Sequence, residues 1–221
     1  TISYWKNQKK REMKVKYKND TVKYDEIQSL KIELSEKEKM IAGEPYLAGD
    51  AELVALRQNA RENMRAFNDE IDPRKRSELL KNWFGKTGQK IYMEPSLSLD
   101  YGSNIFVGEN FYANFNCTIL DTCPVTFGNN VMIAPNVSFY TATHPIDPVE
   151  RNSGTEYGKP ITIGDNVWIG GSSVIGPGVT LGDNVVVGMG SVVTKSFPDN
   201  VVIAGNPARV IRQIELSEAK S

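Results

Sequence analysis

The sequence predicts a mainly β chain wound as a prism of short flat strands, on three observations between 163 and 198. An aliphatic residue recurs at every sixth position, at Ile163, Ile169, Ile175, Leu181, Val187 and Val193. Glycine follows most of them, at Gly164, Gly170, Gly176, Gly182 and Gly188. Two residues before each next aliphatic stands a small or medium side chain, Val167, Ser173, Val179, Val185 and Ser191, and finally the larger Phe197. A period of six matches neither a helix, at about 3.6, nor a plain strand, at about 2, but it suits a coil that turns a corner every sixth residue. One coil cannot bury its own apolar lining, so the coils must stack, at the usual interstrand spacing of about 4.8 Å.

Size and composition set the outer bounds. The chain has 221 residues, 40% of them hydrophobic and 24% charged, which suffices for one main core and an appendage. No apolar run approaches the ~18 residues that a membrane span needs, and no secretory signal pattern opens the chain, so a cytoplasmic protein is expected. With 26 basic and 27 acidic residues the formal charge is -1, which gives no reason to expect nucleic acid or an anionic membrane as partner. A small-molecule partner is the expectation.

Taken in order, residues 1–33, which through Lys31 carry nine Lys or Arg against four Asp or Glu, show no sustained apolar period, which predicts a basic, solvated extension. Ser35-Glu36-Lys37-Glu38 then reads as a capping box that starts a helix, which stops near Gly43. After Pro45 a second helix is marked by Leu53, Leu56, Ala60, Met64 and Phe67 on one face. Asp72-Pro73 opens a third, with Leu79, Leu80, Trp83 and Phe84 as its apolar contacts and Gly85 and Gly88 beyond its end. Residues 34–88 are thus a small helical region, 89–212 the coil, and 213–221 a tail.

Hexads reappear from Tyr101 onward, with Val107, Ala113 and Ile119 in one phase and Phe127, Ile133 and Phe139 displaced by two residues. The slip at Pro124 reads as a bulge or corner adjustment. Cys117 and Cys123 lie six apart, which places them on neighbouring faces and makes a disulfide between them poor geometry; both read as small core residues. The repeats lapse after Phe139 and resume at Ile161. The stretch 141–160 contains three Pro and two Gly and reads as a loop thrown out of the coil. It opens with Thr141-Ala142-Thr143-His144-Pro145, and His144 is the single histidine of the chain. Imidazole near neutral pH is suited to take a proton from an alcohol and return it, so His144 is the first catalytic candidate.

The hexads, with Tyr-Thr-Ala-Thr-His-Pro (140–145), Asn-Val-Trp-Ile-Gly-Gly (166–171), Gly-Ser-Val-Val-Thr-Lys (190–195) and Ala-Gly-Asn-Pro-Ala-Arg-Val-Ile-Arg (204–212), resemble the maltose and galactoside O-acetyltransferases. The match runs from about Ser35 to Arg212. It implies a left-handed parallel β-helix, a hand that periodicity alone does not supply because crossovers are otherwise right-handed. It further implies transfer of acetyl from acetyl-CoA to a sugar hydroxyl without a metal, in a homotrimer whose sites lie between subunits.

Residue by residue, the resemblance places His144 on the family's general base. It places Asn114 on a substrate-contacting asparagine and Asp100 on an acceptor position where some galactoside enzymes carry Ser, so that Asp favours glucose or maltose-like sugars. Asp50 lies near a substrate carboxylate, although the gap-free match there falls on Ala48. Gly171, Met189, Thr194, Lys195, Arg209 and Arg212 fall on CoA positions, and Trp168 on the wall of the pantetheine trench. Without the resemblance, Asn114 reads as a stacked coil residue, Trp168 as corner packing and the three cations as a solvated basic edge. Glu156 or a backbone carbonyl is expected to orient His144.

The same residues bear on other chemistries. A zinc hydratase on such a coil needs about three histidines, and this chain has one. Antibiotic or amino-acid O-acetyltransferases share the mechanism and differ in acceptor, and a noncatalytic scaffold lacks any use for Thr-His-Pro.

Overall fold

The computed structural model describes residues 34–216, and the expectation for 1–33 and the end of the tail expected at 213–221 lie outside them. The chain divides after Leu34, and the unit from Ser35 is the one described here. Its first helix, α1 (Glu36–Ala42), begins at the expected capping box. The Ser35 hydroxyl accepts the Glu38 N–H, and the Glu38 carboxylate accepts the Ser35 N–H. Ser35→Ala should therefore cost about 1 kcal/mol, read as a lowered urea midpoint at unchanged slope. The helix closes at Gly43, whose φ of 76° is the left-handed turn that glycine tolerates. A Cβ there would also meet the Gly158 carbonyl at 2.8 Å, so the end of α1 lies hard against the stretch 141–160.

The second helix, α2 (Ala51–Asp69), is capped by Asp50 and buries Leu53, Ala60 and Phe67. The third, α3 (Pro73–Trp83), starts behind Asp72 and buries Leu80 and Trp83. Behind them the chain winds a parallel β-helix with three faces. The first face stacks Ile105–Val107, Val125–Phe127, Ile161–Ile163 and Thr180–Leu181. The second runs from Ile91–Met93 through Phe111–Ala113, Met132–Ile133, Trp168–Ile169 and Val186–Val187 to Val201–Gly205, with Ala208–Gln213 laid antiparallel on its last rung. The third holds Leu97–Leu99, Cys117–Leu120, Ser138–Tyr140, Val174–Ile175 and Val192–Val193.

The hexad aliphatics line the interior, as Ile163, Ile169, Ile175, Leu181, Val187 and Val193 are all buried. Cys117 and Cys123 are buried and unpaired, as expected of core residues. The outer surface differs from face to face. The first exposes Thr126, Thr162 and Thr180, whereas the second exposes Tyr112, Met132 and Trp168. An open groove of about 1010 Å³ between α3 and the first coils, lined by Arg74, Lys75, Ile91 and Phe111, contains none of the predicted site residues.

Asn110, Asn130, Asn166, Asn184 and Asn200 form one column of side-chain hydrogen bonds, and their spacing measures the coils. The step from Asn166 to Asn184 is 18 residues, three hexads. The step from Asn110 to Asn130 is 20, and that from Asn130 to Asn166 is 36. Every asparagine in the column has φ between 55° and 59°, a conformation Asn tolerates better than other non-glycine residues. The two added residues of the 20-residue coil lie at 121–124, which makes the slip at Pro124 an enlarged corner between the third and first faces. The coil also begins earlier than Tyr101, where the periodicity becomes readable, because Ile91–Met93 already pairs with Phe111–Ala113.

Candidate active site

The enlarged corner at 121–124 stacks on an equally loose one at 100–104, and the next coil opens at the same edge into residues 141–160. Three insertions thus share one edge of the prism. Asp121, with no exposed surface, accepts the backbone N–H groups of Asp100 (3.0 Å), Tyr101 (2.9 Å) and Gly102 (2.8 Å). Asn104 donates its amide to the Asp121 carbonyl. One coil on, the buried Thr141 hydroxyl donates to the Leu120 carbonyl, accepts the Cys123 N–H and meets the Thr122 hydroxyl at 3.0 Å. Those bonds hold the root of the excursion.

The excursion is more ordered than the loop expected from its Pro and Gly content. Ala142–Thr143 pairs antiparallel with Thr155–Gly158, whose other edge takes Tyr46–Leu47, and a short helix, α4 (Pro148–Asn152), closes the turn. Tyr46 comes from the segment between α1 and α2, a partnership no local pattern announces. His144 follows the hairpin strand directly; it is exposed, and its carbonyl accepts the Tyr157 hydroxyl at 3.4 Å. Among the described residues its ring has no hydrogen-bond partner. Glu156, offered with a backbone carbonyl as the group that orients it, instead accepts the hydroxyl of buried Tyr46 at 2.9 Å.

The helices brace the corner at 100–104 from behind. Trp83 Nε1 donates to the Tyr101 carbonyl at 2.9 Å, and a Cβ on Gly102, whose φ is 78°, would overlap that indole. Arg57 on α2 donates to the Tyr101 hydroxyl and to the Ala48 carbonyl, both at 2.7 Å. Asn68 bonds both the N–H and the carbonyl of Leu97. The Asp100 carboxylate is left half-buried and, among the described residues, without a hydrogen-bond partner. Burial raises its affinity for a proton above the ordinary carboxylate range, Arg57 and Arg61 oppose that, and Glu156 adds to it. Burial likewise raises the Tyr46 and Tyr101 hydroxyls, with Glu156 beside the first and Arg57 pulling the second back. Sequence reasoning passed over Tyr46, Arg57, Arg61, Tyr101 and Asp121, since their significance lies in meeting at one edge from four separate segments.

Two predicted acceptor residues have hydrogen bonds of their own outside this cluster. Asp50 caps α2, its Oδ1 accepting the Glu52 and Leu53 N–H groups, a structural duty that accounts for its carboxylate. Asn114 lies at the corner between the second and third faces, level with Ala134 in the next coil, and its Oδ1 accepts the Phe115 N–H. It is therefore no rung of the asparagine column.

Comparison with known proteins joins this fold to a chemistry. Residues 39–88 match the maltose acetyltransferase hexapeptide capping motif, and residues 160–195 match the hexapeptide repeat of succinyl-transferase. A provisionally named acetyltransferase of Dictyostelium discoideum is 62% identical over 181 residues, covering 82% of this chain and 95% of that protein. A crystal structure of a maltose O-acetyltransferase from Clostridium difficile 630 superposes with a TM-score of 0.81 at 54% identity, over 83% of this chain and 99% of that one. A galactoside acetyltransferase in complex with coenzyme A superposes with a TM-score of 0.79 at 46% identity, over 83% of this chain and 92% of that one. The chain belongs to the maltose and galactoside O-acetyltransferase family.

In this acetyltransferase the residues expected to meet CoA divide between two edges. Gly171 and Met189 stand at the corner between the second and third faces, where the Gly190 N–H bonds the Gly171 carbonyl. Arg209 joins them, paired with Ala204 at the end of the last rung, while Arg212 pairs with Val202. Thr194 and Lys195 lie on the edge that carries the excursion, with Lys195 Nζ 5.6 Å from the Phe197 ring centre. Trp168 is half-exposed in mid-face, aligned with Met132 and Val186, so the expectation of an aromatic at a corner is corrected. Every strand of the third face lies between the two edges, and three extended residues span about 10 Å. No helix among the described residues is long and apolar enough to cross a membrane.

Proposed function

We propose that the protein transfers acetyl from acetyl-CoA to a hydroxyl of a glucose- or maltose-like sugar, with His144 as general base. The observation that carries this reading is the polar cluster of Asp100, Tyr101, Arg57 and Glu156 at the root of the segment bearing His144. A half-buried carboxylate suits the hydroxyl protons of a polyol, and the flanking cations Arg57 and Arg61 oppose the burial that favours its protonated form. His144 takes the proton of the bound hydroxyl as its oxygen attacks the thioester carbonyl. The carbon–sulfur bond breaks, and the imidazolium returns that proton to the departing thiolate, leaving a sugar ester and free CoA. Among the basic residues, Lys195, Arg209 and Arg212 supply cations for the CoA phosphates, and Trp168 an apolar wall for pantetheine.

The division of these residues between two edges supports a site built between copies. The edge with Asp100, His144, Thr194 and Lys195 on one subunit faces the edge with Asn114, Gly171, Met189 and Arg209 on the next, in a homotrimer. A cytoplasmic location belongs to the same reading. The test is release of CoA thiol on mixing with glucose, maltose, a galactoside or chloramphenicol. Release with the sugars is expected, release with chloramphenicol alone would move the acceptor to another class, and no release would leave a scaffold. In the same assay Asp100→Ser should lower kcat/KM for glucose and maltose about tenfold relative to a galactoside, the discrimination expected from one charge-assisted hydrogen bond.

A further inference from the structure

We propose that Asp121 is a positioning residue for acceptor binding, its buried carboxylate setting the loop that presents Asp100 and Tyr101. The proposal rests on the reading of Asp100 as an acceptor contact. Three consecutive N–H groups, of Asp100, Tyr101 and Gly102, converge on the two Asp121 oxygens, and the neighbouring Asn104 amide binds the Asp121 carbonyl. Asp121 has no exposed surface, and no cation pairs with it among the described residues. A buried carboxylate without a counter-ion is costly, and peptide dipoles alone must hold it. Turning the corner does not itself require a buried charge. At the same edge two coils on, the chain turns with a plain backbone bond from the Val179 N–H to the Gly176 carbonyl. What the carboxylate adds is a fixed conformation at 100–102, with Asp100 on the open side and the Tyr101 hydroxyl turned to Arg57.

The charge state of Asp121 then matters. Burial, with the Asp100 charge beside it, raises its pKa to about 6 against the opposing pull of the three N–H groups. The charged or titratable groups that face this corner are Asp100 on the loop itself, Tyr101, Arg57 and Arg61 from α2, Glu156 from the hairpin and Tyr46 from the segment before α2. Between its ordinary value of 3.8 and about 6 the folded chain binds this proton more readily than the unfolded one, so this group's contribution to global stability grows as pH falls. The local effect has the opposite sign, because a protonated carboxyl is a weaker acceptor for the three N–H groups, so acid loosens the corner without this group unfolding the coil.

The experiment compares wild type with Asp121→Asn, which keeps the shape and removes the charge. Steady-state rates with maltose and glucose are measured from pH 5 to 8, and amide hydrogen exchange is followed over peptides covering 97–105 and 161–193. The expected result is an acceptor KM raised about tenfold, an acetyl-CoA KM within about twofold, and faster exchange at 100–102 alone. In wild type the acceptor KM should rise as pH falls through about 6, and in the variant that rise should shrink to the part contributed by protonation of Asp100 itself. An unchanged acceptor KM, or an equal rise for both substrates with exchange spreading into 161–193, overturns the proposal. If wild type acetylates neither sugar, the acceptor reading fails instead, and unaltered protection at 100–102 in the variant would still overturn the role of Asp121. Should Asp121→Asn not fold, a wild-type acceptor KM that is flat across pH 6 rejects the idea.

Discussion

Replacing His144 by alanine should lower kcat by about 10²–10⁴-fold while the affinity for CoA stays within about twofold. The reason is the separation of tasks along the molecule. His144 sits on a hairpin whose root is held by backbone pairing and by Thr141, so truncating an exposed imidazole removes a proton acceptor and disturbs no packing. The cations proposed to hold CoA, Lys195, Arg209 and Arg212, lie on the later coils and the closing strand. Isothermal calorimetry with CoA beside the thiol-release assay separates the two quantities. A loss below about tenfold in kcat would remove His144 from the reaction. A parallel loss of CoA affinity would make it a binding residue.

Phe139→Ala is expected to cost about 3–5 kcal/mol of folding stability, the largest structural effect among the changes considered. Phe139 has no exposed surface and lies on the third face between Ile119 and Ile175. Its ring meets Phe127 edge-on, with centres 5.0 Å apart, and Phe127 meets Phe111 at 5.1 Å, so the truncation opens a void where all three faces contribute. Stacked coils are stiff along the axis, and neighbouring rungs cannot close inward without breaking their own ladders. Thr126→Ala, on the exposed side of the first face, is the control and should stay within about 0.5 kcal/mol. Chemical denaturation followed by circular dichroism measures both. A cost for Phe139→Ala below about 1 kcal/mol would show that the interior relaxes, contrary to this packing.

The local signals were legible because each depends on neighbours in sequence. The capping box at Ser35, the apolar face of the helix after Pro45, the helix start at Asp72-Pro73 and the hexad lining from Ile163 to Val193 follow from side chains within a few residues of one another. His144 was conspicuous as the single histidine, placed where the repeat lapses. The hairpin around it was hidden, because its third strand is Tyr46–Leu47, two residues too short to show a period. Glu156 illustrates the limit. Its place near His144 in sequence suggested an orienting contact, whereas its oxygen meets the Tyr46 hydroxyl across a register set by that distant strand.

By itself, then, the amino-acid order determined the repeating coil, the three helices in front of it and the family to which the chain belongs, since periodicity and contiguous motifs need only local spacing to be read. The tertiary structure alone decided that Asp100, Asp121, Thr141 and Tyr46 share one edge, and that the residues expected to hold CoA are split between two. The reason is register. Coils of 18, 20 and 36 residues stack with their corners in line, so residues far apart in the chain become neighbours only after each coil has been laid on the last.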